Sequence, residues 1–172
     1  MPTTPDPDRA WLAAFLLGEG AIMLSFPSTK KGRKDPRSLA PAIKLPNTDY
    51  DIVLHAASIV NAAGITHFVT SPTKPSGKGK KPSISLNLTK KKAVQEFLLM
   101  VRPWLVGRKS READLVLDFL SRACSTPRYI PTERDYDIAL QVRALHDKGS
   151  GERLQRLIAA NAELTTAPAV NV

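Results

Sequence analysis

Hydrophobic and polar positions divide this chain into a repeating series of elements. Asp6-Pro7-Asp8 supplies an N-cap followed by proline at the first helical turn. The run after it, Ala10 to Leu17, is apolar on every side and ends at Gly18-Glu19-Gly20. A surface helix needs a polar stripe, so this one is expected to pack on its own sheet with one side and on a partner with the other. Ala10, Ala14 and Gly18 recur every four residues, forming a ridge of small residues that a second helix can approach closely. Self-association is the simplest source of that partner. The expected dimer interface is Ala10, Ala13, Ala14, Leu17 and Gly18.

Strands follow. Ala21 to Phe26 and Pro41 to Leu45 are extended runs, and Asn47-Thr48-Asp49 offers caps for a helix over about 50–63, stopped by Gly64. The cycle then repeats: His67 to Thr70 is extended, Ser83 to Leu88 alternates without a fault, and Thr89 caps a helix to about Val101. Another helix is expected over about 110–124, and weaker ones over about 132–147 and 151–163, before a frayed tail. The pattern predicts an α+β chain: a core over residues 1–125, then a helical extension and tail over 126–172. Ile84, Leu86 and Leu88 oppose Ser83, Ser85 and Asn87, as Ile43 and Leu45 oppose Lys44. Helices on one face of the sheet would leave a second face small, polar and basic.

Composition narrows the function. The 172 residues, 42% hydrophobic and 24% charged, suit one domain with an appendage. One cysteine excludes an internal disulfide framework and a cysteine-built zinc site. No apolar run is long enough for a membrane span and no signal-peptide pattern is present, so an intracellular location, cytoplasm or organelle, is expected. The net charge is +9, with 18 Lys and Arg against 7 Asp and Glu in residues 1–111, and 7 against 9 thereafter. A polyanionic partner follows, rather than a membrane or a small-molecule substrate. Both hairpin tips are basic: Lys30, Lys31, Arg33, Lys34 and Arg37 in the first, Lys74, Lys78, Lys80 and Lys81 in the second. A two-stranded ribbon with such tips can enter the major groove of double-stranded DNA.

Glu19 stands where a helix dipole is negative. If two such helices cross at their small ridges, two Glu19 carboxylates converge, and a hard divalent cation would compensate them. Paired carboxylates holding a metal ion beside a phosphate are suited to phosphodiester hydrolysis.

Leu12-Ala13-Ala14-Phe15-Leu16-Leu17-Gly18-Glu19-Gly20 resembles the nine-residue signature of the LAGLIDADG homing endonucleases. Ile43-Lys44-Leu45-Pro46-Asn47-Thr48-Asp49 resembles that family's second strand and the start of its second helix. Arg102-Pro103-Trp104-Leu105-Val106-Gly107-Arg108-Lys109, with Glu112-Ala113-Asp114-Leu115, resembles the segment ahead of its last core helix. The resemblance spans residues 9 to 122 and implies the αββαββα core with an antiparallel saddle-shaped sheet. It places Glu19 on the essential metal-binding acid and the Gly18 carbonyl on a backbone ligand. Lys44 falls where some members hold a polar side chain near the active-site water. Arg108 or Lys109 falls on the basic residue thought to stabilise transition-state charge, one extra residue preventing a choice. Met23, Ser25, Lys44, Ser83, Ser85 and Asn87 would face DNA. Leu17 replaces an acidic residue of the signature, and Ala14 a glycine.

A single signature implies a homodimer on a pseudo-palindromic site, cutting DNA with magnesium in the manner of mobile introns or inteins. A catalytically silent DNA-binding regulator or RNA-binding splicing helper is the alternative on the same fold. His55, His67 and His146 lack partners at metal-ligand spacing and are expected to be core or surface histidines, and Cys124 is expected to be a plain buried or half-buried thiol.

Overall fold

The computed structural model describes residues 6–26, 38–72 and 81–146. Among them the order is α1 (Asp6–Gly18), β1 (Ala21–Ser25), β2 (Ala40–Asn47), α2 (Tyr50–Ala62), β3 (Phe68–Val69), β4 (Ile84–Leu88), α3 (Lys91–Val101), a 3-10 turn (Arg102–Trp104), α4 (Gly107–Ser125) and α5 (Glu133–His146). The αββαββα order expected from the pattern is present, as an α+β fold. The expected helix over 151–163 and all the hairpin-tip cations except Lys81 lie outside the described residues.

The four strands form one antiparallel sheet in the order β1-β2-β4-β3. Register sets its two faces. Ile22 lies opposite Ile43, Ile43 opposite Leu88, and Leu45 opposite Leu86, so the branched apolar side chains form one continuous layer. That layer is buried with Leu12 and Leu16 of α1, Val53 and Val60 of α2, Phe97 and Leu98 of α3, and Phe119 and Leu120 of α4. Full burial of each large apolar side chain stabilises by about 1.5–3 kcal/mol. Ile138, Ala139 and Val142 of α5 join the same core.

Local signals explain the boundaries. Asp49 caps α2, its carboxylate accepting from the Asp51 N–H at 3.1 Å, and Gly64 ends the helix at φ +72°. Two expectations are corrected. Lys90, not Thr89, occupies the α3 N-cap, and its side chain makes no cap hydrogen bond. α4 begins at Gly107 rather than near Ser110, because Gly107 takes φ +59°, a left-handed turn that lets the chain leave the 3-10 segment and start the helix early. Arg108 and Lys109 are thereby helical. Cys124 is exposed. No helix among the described residues is long and apolar enough to cross a membrane.

Candidate active site and nucleic-acid face

From Ala10 onward α1 is apolar all round, but only one side of it is used within the chain. Leu12, Ala13, Phe15 and Leu16 are buried, whereas Ala14 and Gly18 are exposed and Ala10 and Leu17 half-buried. A Cβ on Gly18 would meet nothing within 4 Å. The ridge of Ala10, Ala14 and Gly18 therefore stands clear, while Ala13, expected beside it, turns wholly into the chain's own core.

Glu19 follows the last residue of the helix. Its N–H donates to the Phe15 carbonyl at 3.0 Å, and the Gly20 N–H to the Leu16 carbonyl at 3.1 Å, so the backbone is held while the carboxylate is exposed. Gly20 makes this turn possible. A Cβ there would lie 2.6 Å from Leu16 Cδ1 and from Leu45 Cδ2, so only glycine lets α1 pass directly into β1 against β2. Glu19 borders two shallow hollows. One is shared with Trp11, Ala14, Phe15, Gly18, Asn47 and Ile52; the other is shared with Pro46, Asn47, Thr48 and Ser83. Asn47, whose Oδ1 accepts from the Asp49 N–H at 2.8 Å, lines both.

The sheet's other face carries a cross-strand row: Ala21 opposite Lys44, Lys44 opposite Asn87, and Phe68 opposite Asn87. Next to it stand Met23 opposite Ala42 and Ser25 opposite Ala40. Lys44 is exposed, as are Ser25 and Lys81, with Met23 and Ser83 half-buried. Ser85 and Asn87 occupy the expected face, yet they are 4% and 9% exposed. β4 is an inner strand flanked by β2 and β3, and Thr70, just past β3, bonds to its backbone, its N–H donating to the Ser85 carbonyl and its Oγ1 accepting from the Ser85 N–H. The Asn87 amide donates to the Ser85 carbonyl at 2.7 Å.

Arg108 and Lys109 meet a fully buried carboxylate, Glu112. Lys109 is 5% exposed, and its Nζ donates to Glu112 Oε2 at 3.1 Å. Glu112 Oε1 lies 3.2 Å from Arg108 Nε and 3.8 Å from His146 Nε2. His146 Nε2 donates to the Ile22 carbonyl at 2.7 Å, and Arg108 donates to the Leu145 carbonyl at 3.3 Å. This cluster joins α4, α5 and the outer edge of β1.

No family model and no curated protein matches the chain. Solved structures do. The homing endonuclease I-CvuI in complex with its target superimposes with a TM-score of 0.62 at 18% identity, covering 95% of this chain and 99% of that one. The homing endonuclease I-TnaI gives 0.60 at 15%, covering 88% and 96%. The LAGLIDADG homing endonuclease I-SmaMI bound to cleaved DNA gives 0.62 at 18%, covering 95% of this chain but 51% of that one. The chain has the LAGLIDADG homing endonuclease fold.

Within the LAGLIDADG fold, Glu19, Gly18 and Asn47 share one region at the end of α1. Lys44 is elsewhere, on the open sheet face opposite Ala21, and borders neither hollow. Arg108 and Lys109 are tied to Glu112 rather than to Glu19. Asn47 is the residue that sequence reasoning passed over, treating it as a helix cap; the signal available was its place at the end of β2, beside the glycine-rich turn. Among the described residues no three His, Cys, Asp or Glu side chains cluster as metal ligands. The oxygen donors that are present, the Glu19 carboxylate and the Gly18 carbonyl at a helix end with no intrahelical donor, suit a hard divalent cation. One chain supplies one such carboxylate.

Proposed function

We propose that the protein is a sequence-specific, double-stranded DNA endonuclease that acts as a homodimer on a pseudo-palindromic site with Mg2+. The observation that carries this reading is the exposed Glu19 at the end of an apolar helix whose small-residue ridge is left open by its own chain. Two chains meeting along Ala10, Ala14 and Gly18 bring two Glu19 carboxylates together, and the pair would hold the cation with the Gly18 carbonyls. The cation supplies charge neutralisation and Lewis-acid activation at the phosphate. In this reading the amide of Asn47, which lines the same hollow as Glu19, serves to orient groups there. In the same reading Arg108, the more exposed of the two basic candidates, serves as the cation that contacts phosphate, and Lys109 compensates Glu112. The open sheet face docks into the major groove, with Lys81 and the hairpin-tip cations on the backbone. Met23, Ser25, Lys44 and Ser83 meet the bases, while Ser85 and Asn87 support them from within β4.

The relation to solved structures supports this assignment: the chain covers almost all of I-CvuI but half of I-SmaMI, as one half of a two-part site would. Glu19→Gln tests it. Cleavage of target DNA should disappear while binding is retained, since the amide keeps the shape but loses the charge. Magnesium-dependent nicking by that variant would reject the role of Glu19. Binding without any cleavage by the unaltered protein would instead identify a silent DNA-binding regulator.

A further inference from the structure

Lys44 is the only charged residue on any described strand. Its neighbours on the open face are short or apolar, and the two remaining polar side chains of its inner neighbour β4, Ser85 and Asn87, are buried. The Asn87 amide is also engaged by its own strand. Hydrogen-bonding capacity at the centre of the face is thus concentrated in one ammonium group. At the far end of the same row, Phe68 is 50% exposed. An aromatic ring presented by an edge strand on a polar face contributes little to the core and remains available to a ligand.

Resting on the DNA reading above, we propose that this row sets base preference. Lys44 donates to O6 and N7 of a guanine in each half-site, and the Phe68 ring packs on the 5-methyl group of a thymine. The chemistry follows from the major-groove edges. Guanine offers two adjacent acceptors to a cation, and thymine alone offers a methyl group to an apolar side chain. Adenine and cytosine edges carry amino donors that an ammonium group cannot satisfy. Lys44 and Phe68 are two strands apart, roughly 10 Å, so they address different base pairs, which rise about 3.4 Å each.

The test is retention of duplexes from a randomised library by the full-length protein, read by sequencing, with Lys44→Met and Phe68→Ser beside it. Both side chains are exposed, so neither change opens the core. The unaltered protein should enrich guanine at one position and thymine at another in each half-site. Lys44→Met should lower the guanine enrichment by about 5- to 150-fold and leave the thymine, and Phe68→Ser should do the reverse. Replacing that thymine by uracil should weaken binding of the unaltered protein and not of Phe68→Ser. If Lys44→Met weakens all sequences equally and flattens the salt dependence, Lys44 touches phosphate and the proposal is overturned. Unchanged profiles in both variants overturn it as well, with the DNA reading intact. Retention of no duplex by the unaltered protein would remove both.

Discussion

Asp135 shows how much one residue can hold. It is fully buried at the start of α5 and accepts from Arg122 at 2.6 Å, from the Thr132 N–H at 2.7 Å, from Thr132 Oγ1 at 2.9 Å and from the Tyr129 hydroxyl. The Asp135 N–H donates to the Thr132 backbone carbonyl in return at 3.0 Å, which tightens the first turn of α5. Burial pushes the carboxyl upward, but the donors from Arg122, Tyr129 and Thr132 outweigh it and bring it from 3.8 down to about 2. A folded-state value below the unfolded one means stability that is complete above pH 4, roughly, and lost as pH falls toward 2. Acid titration of the melting temperature should therefore show a decline through that interval, and Asp135→Asn should remove that part of it. Asp135→Ala should cost about 1–3 kcal/mol in chemical denaturation, because the Thr132 N–H and the Tyr129 hydroxyl lose their acceptor and Arg122 keeps only Asp118. A loss under 1 kcal/mol would show that the cluster adds little.

At the scale of elements, the joint between α1 and β1 decides whether the helix and sheet can meet. The Gly20 turn leaves no room for a methyl group between Leu16 and Leu45. Gly20→Ala should destabilise by about 1–3 kcal/mol through overpacking and tilt the end of α1, so that cleavage falls further than stability alone explains. Equal melting temperatures for the two proteins would disprove this. Much of this level was legible beforehand, because periodicity reports local geometry. The alternation of Ile84, Leu86 and Leu88 set the correct faces of β4, and Asp49 and Gly64 marked the ends of α2. Parity does not report what lies over a face, however. Ser85 and Asn87 were assigned to the right side and are nonetheless buried there. The early start of α4 was likewise hidden, because the positive φ of Gly107 is a property of the joint and not of the helical pattern after it.

The whole molecule was readable where sequence carried an anomaly and opaque where distant elements meet. A helix apolar on all sides with glutamate at its end is locally inconsistent, and that inconsistency pointed to Glu19 and to an open ridge. The pairs that Arg108 and Lys109 make with Glu112 lie within α4 itself. By contrast, Asn47 shares a hollow with Glu19 only through the pairing of β2 with β1, and His146 meets Glu112 only through the packing of α5 on α4. Neither meeting is written in any one segment. The ridge gives a prediction at this scale that separates folding from assembly. Ala14 is exposed within one chain, so Ala14→Arg should leave the fold of the single chain intact, surface substitutions of this kind lying within about 0.5 kcal/mol. In a dimer built on that ridge the two arginines would face each other across helices meant to touch, combining steric exclusion with like charge. Sedimentation should then report a single chain where the unaltered protein reports two, and cleavage of a pseudo-palindromic duplex should be lost together with the paired Glu19 carboxylates. A variant that still sediments as a dimer and still cuts would place the subunit contact on another surface, and α1 would need a different reason for its bare side.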